Sequence, residues 1–377
     1  VTLSVLLHVQ WLLGIGHLQR SLRIAEALAR EGASVTLVCG GPPTPELAAA
    51  CVRVVGLPPV RALDARFELV DEAGRPLDDA LRGARRAALL AAFVEARPDA
   101  VVVEGFPFAR RAFRFELDPL IAAARRVGSP VLCSVRDVIQ KRDDPARDRE
   151  IVARVRADFA AVLVHGDPRA IPFDASFAAA PEIADRLSYT GYVTDPPGPA
   201  AAPDVPAGEI VVSGGGGSAG LRLMQAAVAA RRAGCFADAP WRILAGAHLP
   251  EPAFAALRDA APPGMVVERF RSDFPALLRR CRISVSQAGY NTALDILAAH
   301  VRSVLVPFAD GHETEQLVRA EFLAAYGVCE LLREDRLSPQ ALAAAIARAA
   351  SRPPATIRVD TDGARRSAQL IVETIRR

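Results

Sequence analysis

The chain has 377 residues, 51% of them hydrophobic and 24% charged, an ordinary folded composition with length enough for roughly two domains. A formal net charge of +3 is too weak to select nucleic acid, and no apolar run is long enough to span a membrane, so at most peripheral membrane contact is expected. The six cysteines, Cys39, Cys51, Cys133, Cys235, Cys281 and Cys329, stand singly, without metal-site spacing, and fit thiols in a reducing cytoplasm.

The elements alternate from the start. Val5 to Val9 reads as a buried first strand rather than a targeting segment, since no basic residues or cleavage site accompany it. Leu18 to Arg30 has a helical apolar face, and Ser34 to Cys39 is a second strand. Apolar runs recur at Ala100 to Val103, Val131 to Val135 and Ala161 to Val164, with arginine- and alanine-rich helical stretches between them. Strands buried on both faces and separated by helices predict a parallel, doubly wound α/β domain over residues 1–194. The stretch Asp195 to Gly208, rich in proline and alanine, reads as a linker.

The alternation then restarts over 209–357. Glu209 to Ser213 is a strand, Gly214 to Gly217 a turn, and Ser218 to Ala233 a helix. Trp241 to Ala245, Met265 to Glu268, Ile283 to Ser286 and Ser303 to Val306 are further strands, and 358–377 reads as a terminal helix that can return to the first domain. The expected fold is therefore two Rossmann-like doubly wound domains facing a cleft.

Three loops carry the chemistry. Gly14-Ile15-Gly16-His17 follows a strand and opens a helix, where a glycine turn lets a ligand approach and a helix start favours a neutral imidazole. His17 is thus a candidate base. Glu104 and Asp137 both end strands and compete to orient it; Arg20 and Arg136 stand nearby in the pattern. Ser213 and Gly214-Gly215-Gly216-Gly217-Ser218 offer backbone amides at a helix start, a phosphate site without the Walker lysine. Gln287-Ala288-Gly289-Tyr290-Asn291-Thr292 repeats the device, followed by Asp295, which suits a ribose diol, and by Glu315-Gln316, which suit sugar hydroxyls. His312 lies in the same loop region; His165 ends another strand. Phe106, Phe108, Phe113 and Phe115 read as either an acceptor pocket or core, and Asp360-Thr361-Asp362 as a surface acid pair.

The segment from Ser284 to Glu315 resembles the donor-binding region of GT-B glycosyltransferases, nearest to the branch that contains the lipid-II-forming N-acetylglucosaminyltransferase. It is also similar to the signature box of plant glucosyltransferases, with Gln287 where that box has histidine. The resemblance implies that Gly289, Asn291 and Thr292 meet the diphosphate, Asp295 the ribose, and Glu315 and Gln316 the sugar. It implies that Ser218 contacts phosphate and that the backbone of Arg271 meets the uracil. GIGHLQR resembles the family's N-terminal glycine loop, where a histidine often serves as base. Asp295 is one methylene shorter than the family's usual glutamate.

The expected activity is inverting, metal-independent transfer from a UDP-sugar to a hydroxyl or amine of a small or lipid-linked acceptor, with no cofactor beyond that co-substrate. The rivals are a nucleotide-sugar hydrolase and a non-catalytic nucleotide-sugar-binding module.

Overall fold

The computed structural model describes residues 2–12, 15–48, 50–63, 68–140, 144–194, 208–215, 220–247, 249–308, 314–353 and 357–377. The chain forms two compact units: Val1–Thr194 with Asp360–Arg377, and Asp195–Val359. Most of the proline-rich stretch read as a linker, 195–207, lies outside the described residues.

In the first unit the order is β1 (Ser4–Val9), α1 (Gly16–Arg30), β2 (Ser34–Cys39), α2 (Pro45–Ala48), β3 (Arg53–Gly56), the small hairpin β4 (Arg61–Ala62) and β5 (Leu69–Val70), α3 (Asp79–Ala96), β6 (Ala100–Glu104), α4 (Arg114–Arg126), β7 (Val131–Arg136), α5 (Pro145–Asp158), β8 (Ala161–His165) and β9 (Leu187–Tyr189). Seven of these strands form one sheet in the order β3-β2-β1-β6-β7-β8-β9, paired in parallel. The chain winds outward from β1 in one direction and from β6 in the other, so the switch point lies between them, where such sheets bind ligands. Val5, Leu7 and Val9 pack on one face with Leu18, Leu22 and Leu28 of α1, while Leu6 packs on the other with Val101, Val103 and Leu117. Each such buried side chain contributes about 1.5–3 kcal/mol, and the period of two explains why one strand serves two layers.

His8 and Gln10 share the Leu6 face, and polar side chains there need partners. Gln10 accepts from Arg85 Nη2 at 2.8 Å, and Arg85 makes a two-pronged pair with Glu116 at 2.8 and 2.7 Å. Arg85 also donates to the carbonyls of Gly40 and Pro58 at 2.9 and 2.7 Å, so one buried guanidinium fixes the chain that leaves β2.

In the second unit follow β10 (Ile210–Ser213), α6 (Leu221–Arg232), β11 (Trp241–Leu244), α7 (Glu251–Ala260), β12 (Met265–Glu268), α8 (Phe274–Arg280), β13 (Ile283–Ser286), α9 (Tyr290–Ala299), β14 (Ser303–Leu305), α10 (Glu315–Ala325), β15 (Cys329–Leu331) and α11 (Pro339–Ser351). The parallel sheet runs β12-β11-β10-β13-β14-β15, with its switch point between β10 and β13. The helix after β10 begins at Leu221, three residues later than the apolar pattern indicates, and 216–219 lie outside the described residues. Helix α11 begins with the capping residue Ser338, which accepts from Ala341 N–H at 3.1 Å, and with Pro339 in its first turn.

The last helix, α12 (Gly363–Arg376), belongs to the first unit and packs Ala368 and Ile371 into the layer over α1. Asp360 and Asp362 are exposed and do structural work at this return. Asp360 N–H donates to Asp167 at 3.1 Å, and Tyr192 N–H donates to the Asp360 carbonyl at 2.7 Å. Five of the described strands were not expected from the sequence: the hairpin strands β4 and β5, and β3, β9 and β15, each of which is short and sits at a sheet edge.

Candidate active site

In the first unit α1 begins at Gly16, so His17 lies within its first turn; Ile15 precedes it and brings no capping side chain. Glu104 is the last residue of β6, the strand beside β1. The switch point therefore sets these two side chains together. His17 Nδ1 lies 2.7 Å from Glu104 Oε1, and Arg20, one turn along α1, donates to the same oxygen at 2.5 Å. Arg136, at the end of β7, donates to His17 Nε2. A carboxylate on Nδ1 and a donor on Nε2 assign the neutral Nδ1–H tautomer. Arg20 Nη2 also lies 3.3 Å from Nδ1, a contact between two donors that the shared carboxylate offsets.

The charges follow. Burial lowers the His17 pKa to about 3; Glu104 opposes this, and Arg136 and Arg110 add to it. The imidazole is thus neutral through the physiological range, with burial the largest cause and the flanking arginines adding to it. Burial alone would raise the Glu104 carboxyl, but His17, Arg20 and Arg110 together hold it well below the usual carboxylate range. Asp137, the other candidate partner, is fully buried; its Oδ1 accepts the Val138 N–H at 2.8 Å and its Cβ packs over Gly166. His165 is a core histidine: it is fully buried, with Ser134 Oγ at 2.7 Å on Nε2 and Thr190 Oγ1 at 2.9 Å on Nδ1. Phe106, Phe108 and Phe113 are core as well, with Phe108 edge-on to Phe173 and Phe177. Their rings belong to the core cluster that also holds Val101 and Val103 of β6, and Phe115 packs partly buried against it.

In the second unit Ser213 pairs in register with Ser286, so the loops leaving β10 and β13 stand side by side at the switch point. Gly215 has a φ of +72°, a conformation that favours glycine, and its N–H lies 3.4 Å from Ser213 Oγ. A Cβ placed on Gly215 would meet Gln287 Oε1 at 3.5 Å, which puts the two loops in van der Waals reach. Gly216, Gly217, Ser218 and His312 lie outside the described residues. Gly289 caps α9 without a side chain, and a Cβ there would meet nothing within 4 Å. The first amides of a helix have no intrahelical acceptor, which suits them to an anion. Asn291, Thr292 and Asp295 are all half-buried and share one face of α9 by their spacing.

The pair expected to meet the sugar, Glu315 and Gln316, opens α10, with Glu315 its first residue. Gln316 commits its carboxamide oxygen to two backbone amides, Ala288 N–H at 3.0 Å and Phe308 N–H at 3.1 Å, so only its amide hydrogens remain to offer a ligand. Arg271 is tied by its side chain to Asp273 at 2.8 and 2.9 Å. Two cations near these sites escaped sequence reasoning. Arg110 acts on His17 and Glu104 through its charge, and Arg319 is buried beneath the β13–α9 turn. Among the described residues no group of three or more His, Cys, Asp or Glu stands where it could hold a metal ion, and no helix is long and apolar enough to cross a membrane.

Residues 211–375 match the glycosyltransferase family 28 C-terminal domain, the part of the chain that holds the paired loops. The chain is a glycosyltransferase of the GT-B fold. It is related to the branch that the donor segment resembled. It is 28% identical over 388 aligned positions, 96% of both chains, to the UDP-N-acetylglucosamine–N-acetylmuramyl-(pentapeptide) pyrophosphoryl-undecaprenol N-acetylglucosamine transferase of Phenylobacterium zucineum (strain HLK1). Among solved structures it is similar to the calicheamicin glycosyltransferase CalG4, at a TM-score of 0.64 and 20% identity over 99% of this chain and 95% of that one. It is also similar to MurG of Acinetobacter baumannii, at a TM-score of 0.59 and 17% identity over 98% of this chain and 99% of that one. At those identities the two structures speak to the fold.

Proposed function

We propose that this GT-B glycosyltransferase moves a sugar from a UDP-sugar to an acceptor hydroxyl or amine, with inversion and without a metal. The observation that carries the donor half is the register of β10 and β13, which sets two glycine turns side by side at a helix start. Backbone amides and helix dipoles at such turns stabilise the charge that grows on a leaving diphosphate. The relative from Phenylobacterium, whose name specifies a UDP-N-acetylglucosamine donor and a lipid-linked acceptor, supports the same donor class and an acceptor of that kind.

His17 is the base in this reading. Its Nδ1–H is held by ionised Glu104, which would stabilise the imidazolium that forms as Nε2 takes the acceptor's proton. Arg136 donates to Nε2, so in this reading the acceptor hydroxyl must displace it there. A positioned base of this kind contributes about 10²- to 10⁴-fold. On the donor side, a thermal-shift screen of UDP- and TDP-sugars tests the reading, because a ligand that binds only the folded state raises its stability. UDP-sugars are expected to raise the Tm of the wild type, and Asp295→Ala is expected to abolish that rise. A rise that survives Asp295→Ala removes the ribose assignment, and no rise with any nucleotide sugar removes the donor reading.

A further inference from the structure

The β13–α9 turn is held from below by one face of α10. Gln316 and Arg319 are three residues apart, so they project from the same side of that helix. Gln316 Oε1 accepts the Ala288 N–H at 3.0 Å, and Arg319 Nη1 donates to the Ala288 carbonyl at 3.0 Å. Both backbone groups of one fully buried residue are thus gripped by two side chains of a single helix. The Arg319 guanidinium carbon also lies 5.5 Å from the centre of the Tyr290 ring, so it contacts the turn on both sides of Gly289. Arg319 is itself only 2% exposed.

A planar trans peptide points its C=O and its N–H in opposite directions. Fixing the Ala288 carbonyl toward Arg319 therefore turns the Gly289 N–H away from α10. Glycine offers little resistance to a peptide flip, and open space beside Gly289 leaves room for one. We propose that Arg319 is a positioning residue for the donor: it locks the Ala288–Gly289 peptide plane so that the Gly289 amide and the first amides of α9 are set to receive the diphosphate. The proposal rests on the donor reading above and adds a residue that touches the turn rather than the ligand.

The test is the ratio of uridine to UDP dissociation constants, measured by calorimetry well below the melting temperature. Arg319→Met is expected to weaken UDP at least about tenfold, the scale of one hydrogen bond to a charged group, while uridine, which has no diphosphate, binds as before. Arg319→Lys keeps a cation and a donor but not the planar fork, and is expected to give an intermediate ratio. A role in stability alone would lower the Tm and leave the ratio at its wild-type value. If Arg319→Met does not fold, the lysine variant carries the test. A wild-type ratio in whichever variant folds overturns the inference, and a wild type that binds UDP no better than uridine overturns the donor reading and the inference with it.

Discussion

Replacing Glu104 by glutamine keeps the shape of the side chain and removes its charge. In the wild type Glu104 is 3% exposed, and one oxygen accepts from His17 Nδ1 at 2.7 Å and from Arg20 at 2.5 Å. The variant would still bond to Nδ1, but as a neutral acceptor it stabilises a forming imidazolium less. A hydrogen bond to a charged group contributes about 1.5–3 kcal/mol, which at about 1.4 kcal/mol per decade converts to a fall in kcat of about 10- to 150-fold. Donor affinity is expected to stay nearly unchanged, because the proposed donor residues other than Gly16 are in the other unit. Stability is expected to fall as well, since Arg20 is buried and loses its counter-charge, at a cost of about 3–5 kcal/mol. The assay is therefore continuous UDP release at a temperature where circular dichroism shows the variant folded. A folded Glu104→Gln protein with kcat within about twofold of wild type would refute the base–carboxylate pairing.

The buried histidine also makes stability depend on pH. His17 is held at about 3 when folded, against an ordinary value of 6.5, so between those values the unfolded chain takes up a proton that the folded chain refuses. Stability then rises with pH up to about 6.5 and is indifferent to this group above it; Glu104, depressed when folded, pushes the same way as pH falls. Urea midpoints from pH 4.5 to 8 should decline on acidification, less steeply in His17→Gln, and a midpoint that holds or climbs toward acid contradicts the assignment. In the second unit, a Cβ on Gly220 would stand 2.3 Å from Gly214 Cα, so Gly220→Ala must displace the β10 loop, at a cost of about 1–3 kcal/mol. About tenfold weaker UDP binding is expected by calorimetry; an unchanged constant would show that this loop does not hold phosphate.

The strands that carry the site were legible because a parallel strand buried on both faces is a continuous apolar run. Val5 to Leu7, Ala100 to Val103 and Ile210 to Val212 need no tertiary context to be read. The edge strands were not: Arg53–Gly56 and Leu187–Tyr189 are only partly buried, and one side of each lacks a partner strand that would require apolar residues. The choice between Glu104 and Asp137 could not be made from sequence because both follow strands. It depends on strand order, and β6 adjoins β1 while β7 is one place further out. The phenylalanines near β6 look the same whether they line a pocket or fill a layer. Arg319 was invisible for a related reason: a buried arginine in a helix reads like any surface arginine until the backbone carbonyl it serves is known.

The central claim is transfer of a sugar from a UDP-sugar with His17 as base. UDP release from a UDP-sugar, measured in EDTA with and without an acceptor library, for the wild type and His17→Ala side by side, tests it most directly. The expected result is release that depends on acceptor, persists in EDTA and falls by about 10²-fold or more in His17→Ala. Equal rates in the two proteins, a requirement for a divalent ion, or release that proceeds as fast in water alone would contradict it.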